Sequence, residues 1–275
     1  MTHDQTVSVG EDQRRGQVRD RYRTIATRNG TPPAASTSSG CCGAGASGSC
    51  CGDQAISIQL GYSAEELASL PDGANLGLGC GNPTALLSLN PGDRVVDLGS
   101  GAGIDCFLAA RKVGAQGRVI GVDMTPEMIA KARENARQGG YANVEFRLGE
   151  IEHLPVADSA VDVVVSNCVI NLTPEKGQVY REAFRVLRPG GRFAVSDVVA
   201  TRPITQQERD DPSLWSSCSS GALEVEEIRE LLRAAGFERV EVELHSSPNP
   251  PKSLEGQAAL GVVSSDIRAR KPGKE

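Results

Sequence analysis

The chain has 275 residues, enough for one large α/β domain with additions, and its 29 basic against 35 acidic side chains leave a net charge of −6. With that balance and only 4% aromatic residues it lacks the basic face and stacking rings of a nucleic-acid binder, so no nucleic-acid partner is expected. No run approaches the ~18 to 20 apolar residues of a membrane span, and the polar N-terminus lacks a signal peptide's apolar core, so no membrane partner and a cytoplasmic location are expected.

Residues 1–30 are charged and predict a short helix around Val18–Ala26. Residues 31–49 are nearly all Pro, Ala, Ser, Thr and Gly without charge, the composition of a flexible linker. That linker holds Cys41-Cys42, and Cys50-Cys51 follows it directly. Ser63 with Glu66 three residues on reads as a helix N-cap. From Arg94 the rhythm becomes strand, helix, strand, helix. Strands are expected over 94–98, 118–122, 143–148, 161–166 and 192–199. Helices are expected over 103–113, from Pro126 to about Gln138, and from Pro174 to near Arg188, where Pro189-Gly190-Gly191 stops the last. This alternation predicts a parallel sheet with right-handed crossovers. Polar, Ser-rich residues 200–222 break the rhythm. A helix over 225–235 and a strand over 238–244 follow, then an apolar run at 258–263 as a final strand, with a loose tail after it.

The run Asp97-Leu98-Gly99-Ser100-Gly101-Ala102-Gly103 leaves one predicted strand and enters a helix, which is a nucleotide-binding layout. Its glycines let a ligand approach the backbone, and amides at the helix N-terminus face it. Asp123 ends the next strand, where a carboxylate can take both ribose hydroxyls. The dinucleotide fingerprint needs its third glycine five residues after the first, but Ile104 occupies that position. Asp97, two residues before the first glycine, suits a cationic ligand better than a pyrophosphate. S-adenosylmethionine has an ammonium and a sulfonium and no phosphate, so it is the expected cofactor.

Cys168 lies just past the Val-rich strand over 161–166, and ligands of open α/β sheets bind beyond the carboxyl ends of the strands. A thiol there faces whatever the glycine turn holds. Cys80 and Cys218 occupy glycine- and serine-rich settings far away in sequence. Several thiols around a nucleotide-type site point to chemistry on a soft element. Permanent disulfides are not expected in a cytosolic chain. Zinc is disfavoured because the eight cysteines form no C-x-x-C pair and His3, His153 and His245 are scattered. Plain burial competes with function at each thiol. It is the better reading for Cys106, on the apolar face of the first sheet helix. Trp215 reads as a packing anchor, and His153 and His245 as surface residues.

Three segments, Val96 to Gly103, Asp123-Met124 and Leu187 to Gly191, resemble the class I methyltransferases over roughly residues 90–245. That likeness implies an α/β, Rossmann-like fold, a mostly parallel sheet with helices on both faces, plus a smaller thiol-bearing substrate-binding region. It implies that Gly99, Ser100, Gly101 and Gly103 surround the methionine part of the cofactor, with Asp97 near its ammonium. Asp123 and Met124 would sit at the ribose and Glu150-Ile151 beside the adenine. The segments Leu78 to Pro83, Ser166 to Leu172 and Ser217 to Leu223 resemble the arsenite S-adenosylmethionine methyltransferases. By that resemblance Cys80, Cys168 and Cys218 are the arsenic(III)-binding and catalytic thiols, Asn167 joins the cofactor set, and the two doublets match the family's N-terminal cysteines. The serines around Cys218 depart from the pattern, and no longer C-terminal domain of the larger relatives is visible. The implied organisation is an N-terminal extension over 1–55, a cofactor-binding domain over 56–200, and an arsenic-binding region with the C-terminal strands over 201–275. A monomer is the default.

The chemistry agrees with the resemblance. Three thiols can replace the three hydroxyls of arsenous acid, leaving a neutral, buriable complex whose lone pair can attack a sulfonium methyl in line. Positioning then does most of the work, and no general base is required. Arsenite or its thiol conjugates are the expected substrate, with glutathione or thioredoxin as the thiol reductant. Two alternatives stand beside this reading. One is a carbon- or oxygen-methyltransferase acting on a quinone or sterol-like lipid, and the other a non-catalytic thiol-rich protein that sequesters metalloid.

Overall fold

The structure, a computed structural model, describes residues 6–27, 50–86, 88–245 and 260–273. The linker over 31–49 with Cys41 and Cys42 lies outside the described residues. Among the described residues four helices precede the sheet: α1 (Thr6–Thr27), α2 (Cys50–Gln59), α3 (Ala64–Ala68) and α4 (Pro83–Leu86). There follow β1 (Arg94–Leu98), α5 (Ile104–Val113), β2 (Arg118–Asp123), α6 (Pro126–Gln138), β3 (Val144–Leu148) and β4 (Val161–Asn167). The chain continues with α7 (Lys176–Val186), β5 (Leu187–Ala200), α8 (Gln206–Asp210), α9 (Pro212–Ser216), α10 (Val225–Ala234), β6 (Glu238–His245) and β7 (Val262–Arg270).

The strands lie in the order β3-β2-β1-β4-β5-β7-β6, parallel from β3 to β5 and antiparallel where β7 meets β5 and β6. Successive residues of a strand point to opposite faces, and the two cores divide accordingly. Val95, Val119, Val163 and Val165 pack with Cys106, Phe107 and Ile129. Val96, Leu98, Val164 and Phe193 pack on the other side with Val179, Ile228 and Leu232. Strands buried on both faces need near-continuous apolar sequence, which is why the valine runs are so readable. The chain winds outward from β1 to β3 and then returns to the other side of β1 with β4. This reversal opens a crevice beyond the carboxyl ends of β1 and β4.

Four local expectations change. Helix α1 runs the whole of Thr6–Thr27 rather than 18–26. Helix α7 spans Lys176–Val186, and β5 runs through Pro189-Gly190-Gly191, because a register shift between Val161 and Val163 of β4 accommodates the turn-like residues. The serine-rich stretch carries α8, capped by Thr205 with Glu208, and α9, capped by Asp211 with Pro212 in its first turn. The tail past 263 is no loose end through Arg270. As β7 it pairs with β5 from Ala200↔Val262 to Arg192↔Arg270. Its polar residues are hydrogen-bonded inside the sheet, Ser265 Oγ to Asp197 O at 2.9 Å and Asp266 from Ser196 Oγ at 3.0 Å, so apolar patterning alone conceals the strand.

Candidate active site

The glycine turn ends β1 on one side of the crevice. Gly101 has φ +51° and open space where a Cβ would stand, so a ligand can approach its backbone closely. Asp123, at the end of β2, accepts the Gly101 amide at 3.0 Å and the Thr125 amide at 2.8 Å. Its carboxylate is thereby fixed against the turn, though burial still raises its pKa. Asp97 is 2% exposed. Burial and the nearby Asp105 push its carboxyl well above the usual range, and the Cys106 thiol donates to it at 3.2 Å. Asp105 accepts the Tyr62 hydroxyl at 2.7 Å and is pushed up to about 6, chiefly by burial.

Buried carboxylates crowded on one wall favour a cationic guest. Ser100 Oγ, also on that wall, is buried with no hydrogen-bond partner. An orphaned hydroxyl, an open glycine backbone and an uncompensated carboxylate together fit the amino-acid end and ribose of S-adenosylmethionine.

The cleft wall holds Asp97, Gly99, Ser100, Gly101, Asp123 and Met124 of the expected cofactor set, together with Ile151 and Asn167. Gly103 and Glu150 are not on that wall. Gly103 caps α5 with φ +101°, and a Cβ there would meet Phe107 and Phe146 at 2.7 and 2.8 Å, so its smallness serves helix packing. Glu150 faces outward, 4.0 Å from Arg19, and Glu152 lines the cleft instead. Asn167 ties the two halves of the cleft together. Its Oδ1 accepts the Cys80 amide at 2.9 Å, while its Nδ2 donates to Gly81 O at 2.9 Å, Tyr62 Oη at 2.9 Å and Asp105 at 3.1 Å. Its contacts hold the Cys80 loop in place.

Cys80, Cys168 and Cys218 line the same cleft. Cys80 and Cys168 form a disulfide with Cα atoms 5.5 Å apart, although the compartment argument expected no permanent disulfide. Cys218 is free, 3% exposed, and its thiol donates to Cys168 O at 2.9 Å. Burial first, then the Asp197 charge, push that thiol upward. Cys168 and Cys218 both take left-handed backbone, with φ +56° and +65°. For non-glycine residues that conformation is uncommon, and strain of this kind clusters at functional sites. An Asp197 oxygen lies within 4.8 Å of the sulfurs of both Cys80 and Cys168. Asp197 accepts from Ile170 N, Asn171 Nδ2 and Val198 N, and burial raises it to about 6. Cys106 is fully buried in the core, as its apolar helix face implies.

Sequence reasoning missed the roof. Arg15, Val18, Arg21 and Tyr22 of α1 line the cleft, far from the glycine turn in sequence. Arg15 bridges to Glu175 at 2.7 Å and Glu152 at 3.4 Å, Arg14 to Asp210 at 2.9 Å, and Arg21 to Ser216 Oγ at 3.2 Å. A helix this rich in arginine reads as a solvated surface, and the one available signal was Val18 and Tyr22, four apart on one face. Trp215 is the packing anchor it was read to be, buried with its indole donating to Leu172 O at 3.0 Å.

A methyltransferase-domain family model matches residues 89–236. An arsenite methyltransferase of Halobacterium salinarum is 48% identical over an alignment covering 100% of this chain and 72% of that protein. One of Aquipseudomonas alcaligenes is 47% identical over 58% of this chain, and the match spans less than half of that longer protein, at 47%. Among solved structures, an arsenic(III) S-adenosylmethionine methyltransferase from Chlamydomonas reinhardtii aligns with a TM-score of 0.59 and 35% identity, covering 80% of this chain and 73% of that one.

Proposed function

We infer the reaction from one premise: this chain belongs to the arsenite methyltransferase family, within the S-adenosylmethionine-dependent methyltransferases. It transfers methyl groups from S-adenosylmethionine to trivalent arsenic, an activity whose usual role is arsenite detoxification. The observation that carries this reading is the convergence of Cys80, Cys168 and Cys218 in the same cleft that the glycine turn lines. A quinone or lipid methyltransferase needs no such trio, and a protein that merely sequesters metalloid needs no glycine turn with Asp97 and Asp123.

S-adenosylmethionine supplies an electrophilic methyl group on a sulfonium. On this reading Asp97 would take its ammonium, Asp123 the ribose hydroxyls and Ile151 the adenine side, with Ser100 Oγ as a further hydrogen-bonding group. Arsenite enters at the thiols, where each As–OH and S–H pair becomes an As–S bond and a water. Thiolates are the soft ligands that trivalent arsenic prefers. Held by three sulfurs, arsenic aims its lone pair away from them and toward the methyl group, and apolar walls at Val18, Leu172 and Val169 exclude water. Transfer leaves a pentavalent, cationic methylarsenic on three sulfurs. Coupling of the Cys80 and Cys168 sulfurs returns two electrons to arsenic, leaving trivalent methylarsenic on Cys218, which takes a hydroxyl from water and releases a proton. A thiol reductant, thioredoxin or glutathione, then reopens the disulfide. The Cys80–Cys168 bond in the structure is the oxidised form this scheme requires.

On this reading residues 56–200 form the cofactor side with Cys80 and Cys168, and 201–275 supply Cys218 and the strands that complete the sheet. The working unit is taken as a cytoplasmic monomer. Among the described residues no helix is long and apolar enough to cross a membrane. The deciding experiment incubates reduced protein with arsenite, S-adenosylmethionine and a thiol reductant and measures methylated arsenic. Methylated arsenic that survives Cys168→Ser would remove Cys168 from the reaction, and methyl transfer to a quinone or lipid without any methylated arsenic would favour chemistry on another acceptor. Arsenite binding without any methylated product would leave a metalloid-binding protein.

A further inference from the structure

Methyl transfer to arsenic moves a positive charge, and a buried carboxylate stands beside the place where that charge arrives. Asp197, in β5, has an oxygen within 4.8 Å of the sulfurs of both Cys80 and Cys168. It is 2% exposed and stands behind the cleft wall rather than on it. Its Oδ1 accepts Asn171 Nδ2 at 2.9 Å and Val198 N at 2.8 Å, and its Oδ2 accepts Ile170 N at 3.1 Å. All three partners are N–H donors, a set that selects the ionised form of a carboxyl group. Cys168 N donates to Ser196 O at 2.8 Å, and Ser264 Oγ donates to Cys80 O at 2.5 Å, so the backbones of both cysteines are tied to β5 and to its neighbour β7. Reduction parts the two sulfurs but leaves these ties in place, with the carboxylate beside them. The opposing charge is the buried Lys176 of α7, whose ammonium donates to Thr173 O at 2.7 Å.

Resting on the arsenic reading of the trio, we propose that Asp197 is the electrostatic partner of the methyl transfer, its negative charge stabilising the cation that forms on arsenic. The argument is a difference between states. Arsenic on three sulfurs is neutral, so its binding gains little from a nearby charge. In the transfer the arsenic lone pair forms the new arsenic–methyl bond, and the electrons of the breaking sulfur–methyl bond stay on the cofactor's sulfur. The positive charge thereby passes from the sulfonium to arsenic. Because the lone pair points away from the three sulfurs, a carboxylate packed against those sulfurs lies nearer to arsenic than to the sulfonium. A fixed charge nearer the destination than the source lowers the barrier while leaving the ground state almost alone. Burial keeps the interaction strong, since little water screens it. The same charge disfavours a bare thiolate at Cys218, so the empty site keeps its thiol protonated until arsenite exchanges its hydroxyls for sulfur.

The test is Asp197→Asn in the full, reduced chain at about pH 8, where an aspartate here is ionised, so that the charge is removed and the shape kept. Single-turnover methyl transfer, read as methylated arsenic after rapid quenching, should slow by about tenfold or more. Arsenite affinity, read from the fluorescence of the single tryptophan, Trp215, should hold within about threefold, as should S-adenosylhomocysteine affinity. Asn171→Ala removes a support of the same segment but keeps the charge, and should transfer at close to the unsubstituted rate. Asp197→Glu returns the charge and should transfer at least about fivefold faster than Asp197→Asn; should the latter not fold, Asp197→Ser takes its place in that comparison. An unchanged transfer rate in Asp197→Asn overturns the proposal, as do equal rates for the neutral variant and Asp197→Glu. A loss of arsenite affinity as large as the loss of rate also overturns it, by reducing Asp197 to a support for the Cys168 segment. Failure of the arsenic reading itself would look different: the unsubstituted protein would bind S-adenosylhomocysteine but yield no methylated arsenic.

Discussion

Asn167→Ala separates a thiol-positioning role from a cofactor-binding one. The side chain makes four hydrogen bonds, to Cys80 N, Gly81 O, Tyr62 Oη and Asp105. Alanine removes all of them. The Tyr62–Asp105 bond at 2.7 Å survives, but Asp105 loses a donor that favours its charged form, so its carboxyl should move further upward. Neutral bonds are worth about 0.5–1.5 kcal/mol each and those to a charged group about 1.5–3, and shared networks are not additive, so a loss of about 2–4 kcal/mol in stability is expected. The part of this borne by the Cys80 amide, about 1–1.5 kcal/mol, is the part that fixes Cys80 relative to Cys168 and Cys218, and it corresponds to about a tenfold loss in arsenite affinity. Urea unfolding measures the first quantity and Trp215 fluorescence during arsenite titration the second. Cys80→Ser supplies the floor, since losing the anchor cannot cost more than losing the thiol. A variant that is less stable yet binds arsenite normally would refute the reasoning. So would one that loses S-adenosylhomocysteine while keeping arsenite.

The parts of the fold that were legible are those whose burial forces a local pattern. Strands β1, β2 and β4 lie within the sheet, so both faces demand valine and leucine, and their ends could be placed within a residue. The glycine turn and Asp123 were legible because close approach to a ligand constrains sequence locally. Strand β7 failed that test: Ser264, Ser265 and Asp266 find partners in neighbouring strands and loops, so the sequence shows polar residues where a tail is the natural reading. Contacts across long sequence separations were equally invisible. Arg15 and Glu152, or Arg21 and Ser216, have no pattern in common, and only the fold brings α1 over the cleft. Asp105 and Asp197 carried no local signal: one lies in the first turn of α5 and the other inside β5. Motif mapping fixes a sequence offset and not the direction in which a side chain points: of the neighbouring acids after β3, Glu152 lines the cleft and Glu150 does not.

Three further outcomes follow from the site. Asp123→Ala should weaken S-adenosylmethionine binding by about 1.5–3 kcal/mol, through the loss of a charged acceptor, and leave arsenite affinity nearly untouched; separate titration of the two ligands decides it, and unchanged cofactor affinity would remove Asp123 from the site. Burial raises the Asp97 carboxyl in the free protein, whereas an ammonium partner needs it ionised. Cofactor affinity should therefore be full above that raised pKa and fall as pH drops below it, by up to about tenfold per pH unit. Calorimetry across the acid-to-neutral range should show proton release on binding, and a profile no steeper than that of Asp97→Asn would sink the assignment. The last concerns the thiols. Each methyl group replaces a sulfur on arsenic, so trivalent monomethylarsenic needs two thiols where arsenite needs three. With Cys80 and Cys168 joined by one disulfide and Cys218 hydrogen-bonded to Cys168 O, reduction leaves Cys168 and Cys218 as the pair that holds the monomethyl species. Cys80→Ser should then lose methylation of arsenite but keep part of the activity on trivalent monomethylarsenic when external thiol supplies the electrons. Cys168→Ser and Cys218→Ser should lose both activities. Speciated arsenic products from the three variants measure this directly, and equal losses on both substrates would leave all three as ligands while removing any special role for Cys80.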